Sequence, residues 1–333
     1  MWHSDCKVID SNGVDRGGVP FPEIRILITK STLMKKVLLA SDGSPFAEEA
    51  AWFLSHLPHN QKLDLIVLTV LQIPYATQRS GTATEISDSL DKERDSATEA
   101  FHRIEKMFEG ANASLRHVIR EGHRGQSIVD VANEEKVDLT VVGARGRSAV
   151  RRLLLGSTSD YVATHTECSV LVVRPTGLKE EKRPIRVVVG YEESGAAHAA
   201  LEEFDETHWG KQSDVRVVSV VSYVSAFLNE IVVDTGDAKE AAEEALRQAL
   251  QTVESSAPNA KAQLVDSDHV GEGLVEYAEE QKCDLIVVGE TPHSLLGRVV
   301  LGSVSRFVLR HAPCSVWITR NRAHHHVSER TAS

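Results

Sequence analysis

The strongest constraint on how this chain folds is that it repeats itself. Val37-Leu38-Leu39-Ala40-Ser41-Asp42-Gly43-Ser44 returns as Val187-Val188-Val189-Gly190-Tyr191-Glu192-Glu193-Ser194, an offset of 150 residues. Val137 to Gly143 is echoed by Cys283 to Gly289, and Gly156-Ser157 through Cys168-Ser169-Val170 by Gly302-Ser303 through Cys314-Ser315-Val316, now at an offset of 146. Solenoids repeat every 20 to 50 residues or so, so a longer and nearly constant offset means that one whole domain of roughly 140 residues has been duplicated. The 333-residue length agrees with two domains at the loose prior of about 150 residues each.

The first unit is read as residues 34–176 and the second as residues 184–320, joined by the polar stretch Pro175-Thr176-Gly177-Leu178-Lys179-Glu180-Glu181-Lys182-Arg183. Residues 1–33 carry scattered glycine and proline without sustained periodicity and are expected to be an unstructured leader. Met34-Lys35-Lys36 precedes the first strand as a natural start would. Residues 321–333 are expected to be a disordered tail, whose His324-His325-His326 reads as a solvated polar run with metal binding as the other reading.

Within the first unit, β-rich runs (Lys36 to Ser41, Leu63 to Leu71, Leu115 to Ile119, Asp138 to Val142, Ser169 to Val173) alternate with helix-like segments. That alternation predicts an α/β fold, a parallel sheet with helices on both faces. Ser44 as cap and Pro45 at the first helical position open the first helix. From Glu85 to Phe108, the residues Ile86, Leu90, Ala97, Phe101, Ile104 and Phe108 form one apolar stripe, which is core.

In a doubly wound sheet, ligands bind beyond the carboxyl ends of the strands, where strand order reverses. Asp42 follows the first strand; Gly143-Ala144-Arg145-Gly146 follows the fourth, and nine residues later Gly156-Ser157-Thr158 opens a helix. Gly143 and Gly146 suit a backbone passing close to phosphate oxygens, and a helix N-terminus attracts anions. Between Gly143 and Ser157 stand Arg145, Arg147, Arg151 and Arg152 with no acid, although the whole chain has 37 basic and 48 acidic residues and a formal charge of −11. The local contrast points to a small phosphate ligand. The global charge disfavours nucleic acid and anionic membrane as partners.

With the strand-one run, the pattern Gly143-x2-Gly146-x9-Gly156-Ser157 resembles the ATP-binding motif of the universal stress protein family, and two such units resemble a tandem universal stress protein. The resemblance implies two doubly wound, mostly parallel five-stranded sheets, Rossmann-like and adenine-nucleotide α-hydrolase-like, with strand order 3-2-1-4-5 in each domain. It implies ATP as ligand, with Asp42 on the ribose or contacting magnesium, and Ala40, Ser41 and Val70 meeting the adenine. Val142, Gly143 and Gly146 would line ribose and phosphates, and Gly156, Ser157 and Thr158 would hold the phosphate tail. Arg145 and Arg147 are assigned to phosphate on charge alone.

The second copy departs from this pattern. Pro292 replaces the second glycine, Glu290 is aligned with Arg145, and Glu192 stands where Asp42 does. Nucleotide is therefore expected in the first domain only, and Gly302-Ser303 reads as a helix start or as a weak site. Gly271-Glu272-Gly273 reads as a turn.

The four cysteines, Cys6, Cys168, Cys283 and Cys314, include no C-x-x-C pair, so reduced thiols are expected. Hydrophobic residues at 41% exclude a disordered chain, and no apolar run approaches the roughly twenty residues of a membrane span. A soluble, cytoplasmic protein follows.

No catalytic set accompanies the motif, so ATP turnover is expected to be slow or absent and the protein to act as a sensor or switch in the stress response. A nucleotide-free scaffold and a weak ATPase are the other readings. The apolar last strands, Val170 to Val173 and Val316 to Thr319, are expected to pair the two units inside one chain as a pseudo-dimer, burial under a helix being the other reading. A further homodimer and an unidentified protein partner stay open. The segments Gln72–Thr84 and Ser222–Gly236 are candidate lids.

Overall fold

A computed structural model describes residues 34–59, 61–72, 82–146, 155–181, 183–192, 194–222, 235–290 and 301–320. These residues belong to one unit, Thr32–Ser333. The leader, the tail, both candidate lids save their ends, and Arg147, Arg151, Arg152, Pro292 and Arg298 lie outside the described residues.

The first half runs β1 (Lys36–Ala40), α1 (Pro45–His56), β2 (Leu63–Leu71), α2 (Ala83–Met107), β3 (Ala113–Glu121), α3 (Arg124–Glu134), β4 (Leu139–Gly143), α4 (Ser157–His165) and β5 (Ser169–Val173). A short helix, α5 (Leu178–Glu181), lies in the connection. The second half repeats the order as β6 (Arg186–Gly190), α6 (Gly195–Asp205), β7 (Asp214–Val221), α7 (Thr235–Val253), β8 (Lys261–Asp266), α8 (Val270–Glu280), β9 (Leu285–Glu290), α9 (Ser303–His311) and β10 (Ser315–Arg320).

Local signals account for these elements. Ser44 caps α1 by accepting from the Ala47 amide at 3.3 Å, with Pro45 next. Thr82 and Glu85 form a reciprocal capping box that starts α2. The predicted α2 stripe buries Ala97, Ile104 and Phe108, with Phe101 packed beside them. β3 is longer than its apolar run because it pairs with β2 along its whole length, from Leu63 opposite Ala113 to Leu71 opposite Glu121. Gly271-Glu272-Gly273 is not a turn: it is the first turn of α8. A Cβ on Gly271 would lie 3.0 Å from the Phe307 ring, and one on Gly273 would lie 2.8 Å from Ser267 Cβ, so these glycines let the helix pack closely.

Each half has the strand order 3-2-1-4-5, and the two sets join into one ten-stranded sheet, β3-β2-β1-β4-β5-β10-β9-β6-β7-β8. All neighbours are parallel except β5 and β10, which pair antiparallel with Leu171 opposite Trp317. The last strands thus join the two halves, as expected from their sequence. Side chains alternate between the faces, so Val37 and Leu39 enter one core and Leu38 the other. Both cores run without interruption through the junction; Leu171, Val173 and Trp317 share one of them.

Polar groups also cross the junction. Ser169 Oγ donates to Glu203 Oε2 at 2.8 Å, and Trp317 Nε1 donates to Glu203 Oε1 at 3.2 Å. Two buried arginines, equivalent in the repeat, close it from either end. Arg174 of the first half donates to the carbonyls of Leu309 (2.6 Å) and Cys314 (3.3 Å) in the second half. Arg320 of the second half donates to the carbonyls of Ala163 (2.5 Å), Thr166 (2.5 Å) and Cys168 (3.0 Å) in the first half. Each thereby satisfies carbonyls at the end of a helix and in the turn after it. Among the described residues, no helix is long and apolar enough to cross a membrane.

Candidate functional site

In the first half the chain runs outward from β1 to β3 and then returns to β4 on the other side of β1, so the strand order reverses between β1 and β4. A cleft open to solvent lies at the carboxyl ends of these strands. Eleven predicted residues line it together: Ala40, Ser41, Asp42, Val70, Val142, Gly143, Arg145, Gly146, Gly156, Ser157 and Thr158. The remaining one, Arg147, lies outside the described residues.

Each wall has a local cause. Ser41 is held by its own amide, which donates to Leu68 O at 2.9 Å, and its hydroxyl accepts from Gly43 N at 3.3 Å. Asp42 Oδ1 accepts from Ser44 N at 3.0 Å, which turns the chain into α1 and aims the rest of the carboxylate across the cleft. It reaches Gly146: a Cβ there would lie 2.6 Å from Asp42 Oδ2. Gly146 is therefore needed for the carboxylate, whereas Gly143 is needed for packing, since its Cβ would meet the Phe46 carbonyl oxygen at 2.7 Å. The contact gives Gly143 a packing reason in addition to its place in the cleft lining. In the second half the equivalent Gly289 would collide with Ala196 O, and this explains why that glycine is retained.

α4 opens at Gly156 without a side-chain cap, and its first-turn amides face the cleft beside the exposed Ser157 hydroxyl. Arg145 extends over the Phe46 ring, 5.7 Å from its centre. Sequence reasoning missed Leu68, Ala47, Ile128, Ser159 and, chemically the most telling, Arg124, which opens α3. The Arg124 Nε is buried and has no hydrogen-bond partner among the described residues. A basic residue opening the helix after the third strand was the available signal, and its counterpart in the second half is Val270.

The second half differs at the corresponding place. Gly143 pairs with Val173 and Gly289 with Thr319, so Glu290, opposite Arg320, is the equivalent of Ala144. The alignment of Glu290 with Arg145 was one residue out. Glu290 is 4% exposed and points inward; Oε1 accepts from Gly302 N at 2.7 Å and Oε2 pairs with Arg320 at 3.2 Å. Burial raises its pKa, against the lowering influence of Arg320 and the Gly302 amide. The second half's own carboxylate thus holds the amide at the start of α9.

The predicted thiols divide. Cys314 is buried, and burial raises its pKa; Cys168 is half-buried, with Sγ 3.2 Å from Thr140 Oγ1. No group of three or more metal-ligating side chains occurs among the described residues.

A doubly wound sheet with a glycine-walled, arginine-lined cleft at its switch point defines an α/β domain, and the second half repeats its fold but not its cleft lining. The family model described as the universal stress protein family matches residues 34–174 and again 185–320, so this chain belongs to that family as a tandem member. It is 29% identical over 150 residues to a universal stress protein of Methanocaldococcus jannaschii, covering 45% of this chain and 87% of the relative. It is 32% identical over 151 residues to the universal stress protein YxiE of Bacillus subtilis, covering 43% of this chain and all of the relative. The crystal structure of a universal stress protein from Archaeoglobus fulgidus superposes with a TM-score of 0.59 at 19% identity, covering 86% of this chain and 99% of that one, which supports the fold.

Proposed function

We propose that the first half binds ATP, with magnesium, and that the chain acts as a nucleotide-dependent sensor or switch in a cytoplasmic stress response, its second half mainly structural. The observation that carries this reading is the convergence on one cleft of Asp42, Gly146, Arg145, Arg124 and the uncapped start of α4. The cleft suits the ligand: apolar walls at Ala40, Leu68 and Val70 for a base, one carboxylate for ribose or cation, and two guanidinium groups with a helix N-terminus for phosphates. The buried, unpartnered Arg124 Nε is a donor that such an anion satisfies.

Binding is favoured over turnover. The one carboxylate among the described lining residues, Asp42, is engaged by the Ser44 amide, and no second acid or histidine stands beside it to position water.

The test is calorimetric titration of the full chain with magnesium ATP, together with release and counting of adenine nucleotide from freshly purified protein. The expected result is about one site per chain by the single-cradle argument. Absence of heat at millimolar nucleotide, with no released nucleotide, would overturn the reading in favour of a scaffold.

A further inference from the structure

We propose that an anion held in the first half's cleft is felt by the second half through Arg174, as the Glu290 carboxylate is felt by the first half through Arg320. This rests on the reading of the cleft as an anion site and adds a route by which its occupancy is transmitted.

The two halves carry the same junction device. Arg174 directly follows β5 and Arg320 ends β10, and each binds carbonyls at equivalent places in the other half, Leu309 and Cys314 for one, Ala163 and Cys168 for the other. They differ in their counter-charge. Arg320 pairs with Glu290, and the same carboxylate accepts from Gly302 N, so one anion spans the start of α9 and the junction arginine. That geometry measures how close the two places are in this fold: a single carboxylate reaches both.

In the first half the position of Glu290 is Ala144, which brings no charge; the amide equivalent to Gly302 N, Gly156 N, is taken by the Ala144 carbonyl instead, so what the first half lacks is the counter-charge at Arg174. Arg174 is 6% exposed and has no carboxylate partner among the described residues. Burial lowers its pKa to about 10, and the like charge of the cleft residue Arg145 acts in the same direction. The Arg174 backbone is also tied to the cleft, because Val173 O accepts from Ala144 N and Ala144 O accepts from Gly156 N, both at 2.8 Å. An anion at the start of α4 therefore supplies the first half with the charge that Glu290 supplies permanently to the second. It strengthens the hold of Arg174 on the end of α9. Glu290 is in this sense a resident substitute for ligand, and only one of the two junction clamps responds to the solution.

Hydrogen exchange on the full chain, with and without magnesium ATP, tests this. Nucleotide is expected to slow exchange in the first turn of α4 and also in residues 309–316, the latter by about fivefold or more, a usual size for coupling between sites. R174M is expected to keep the first effect and lose the second, and by reciprocity to weaken nucleotide binding by a similar factor. R174K, which keeps the charge but not the fork, is expected to restore part of the remote effect; a purely structural arginine would show no such rescue. Protection of α4 in the wild type with no change at 309–316, or remote protection that survives in R174M, overturns the proposal. If nucleotide protects neither segment, the ligand reading fails, and A144E decides the coupling by itself: slower exchange at 309–316 without ligand supports it, and unchanged exchange ends it. Should A144E not fold, E290A gives the mirror measurement at residues 163–168, where faster exchange supports the clamp and unchanged exchange ends it.

Discussion

Two glycines of one motif do different work, and they can be separated. Gly143 lies against the α1 backbone, which cannot move aside, whereas Gly146 faces the end of a short side chain, Asp42 Oδ2. G143A and G289A are each expected to cost about 1–3 kcal/mol in urea unfolding, the usual range for overpacking. G146A is expected to leave stability nearly unchanged and to weaken magnesium ATP by about tenfold, equivalent to about 1.4 kcal/mol, through displacement of the carboxylate. The motif residues were legible because their spacing is local to one strand end and one helix start. Arg124 was not, because its place at the cleft depends on where β3 ends and α3 begins, and the glycines beside it, Gly122 and Gly125, do not fall in the spaced motif. Glu290 belongs with Ala144 by the same 146-residue offset that matches Gly289 to Gly143, and strand register, Arg320 opposite Glu290, bears out that count.

At the level of elements, one carboxylate ties together three pieces of the first half. Glu135, the C-cap of α3, pairs at 2.6 Å with both Lys36 of β1 and Arg116 of β3. Hydrogen bonds from Arg116 and then Lys36 lower its pKa to about 2 from 4.5. A carboxylate depressed in the folded state binds fewer protons there than when unfolded. Its stabilisation is therefore complete above about pH 4.5 and is lost as pH falls toward 2. All three partners touch solvent, so screening limits the effect to about 1 kcal/mol. E135Q is expected to flatten the stability profile across that window in denaturant titrations; an unchanged slope would remove Glu135 as a contributor. The elements themselves were legible where cap and periodicity agreed, as at Ser44, whereas the capping box of Thr82 and Glu85 starts α2 earlier than its apolar stripe indicates. The helical first turn at Gly271-Glu272-Gly273 was hidden, because close packing against Phe307 and Ser267 outweighs the low helix propensity of glycine.

For the whole molecule, the repeat offset already implied two matching sheets, and the apolar last strands implied their pairing. The sequence could not state that the pairing makes one continuous sheet with two shared cores, since that depends on the antiparallel match of Leu171 to Trp317. Its strength is testable. Residues 34–176 expressed alone would present β5 as an unpaired apolar edge, and such edges seek a partner. Light scattering is expected to show a two-fold dimer joined through β5, and W317A in the full chain is expected to cost about 3–5 kcal/mol, as for other buried tryptophans. A monomeric, soluble fragment would mean that β10 is not needed to cover that edge.

The twelve-residue tether between β5 and β6, residues 174–185, has a further consequence. Two copies held by so short a link meet at millimolar effective concentration or more, whatever their abundance in the cell. The pair therefore neither dissociates on dilution nor exchanges with separate single-domain relatives. Selection can then alter one member without altering its mate, a freedom closed to a pair of identical chains, and a single nucleotide cradle, as proposed for the first half, would yield a simple hyperbolic dose curve rather than a sigmoidal one.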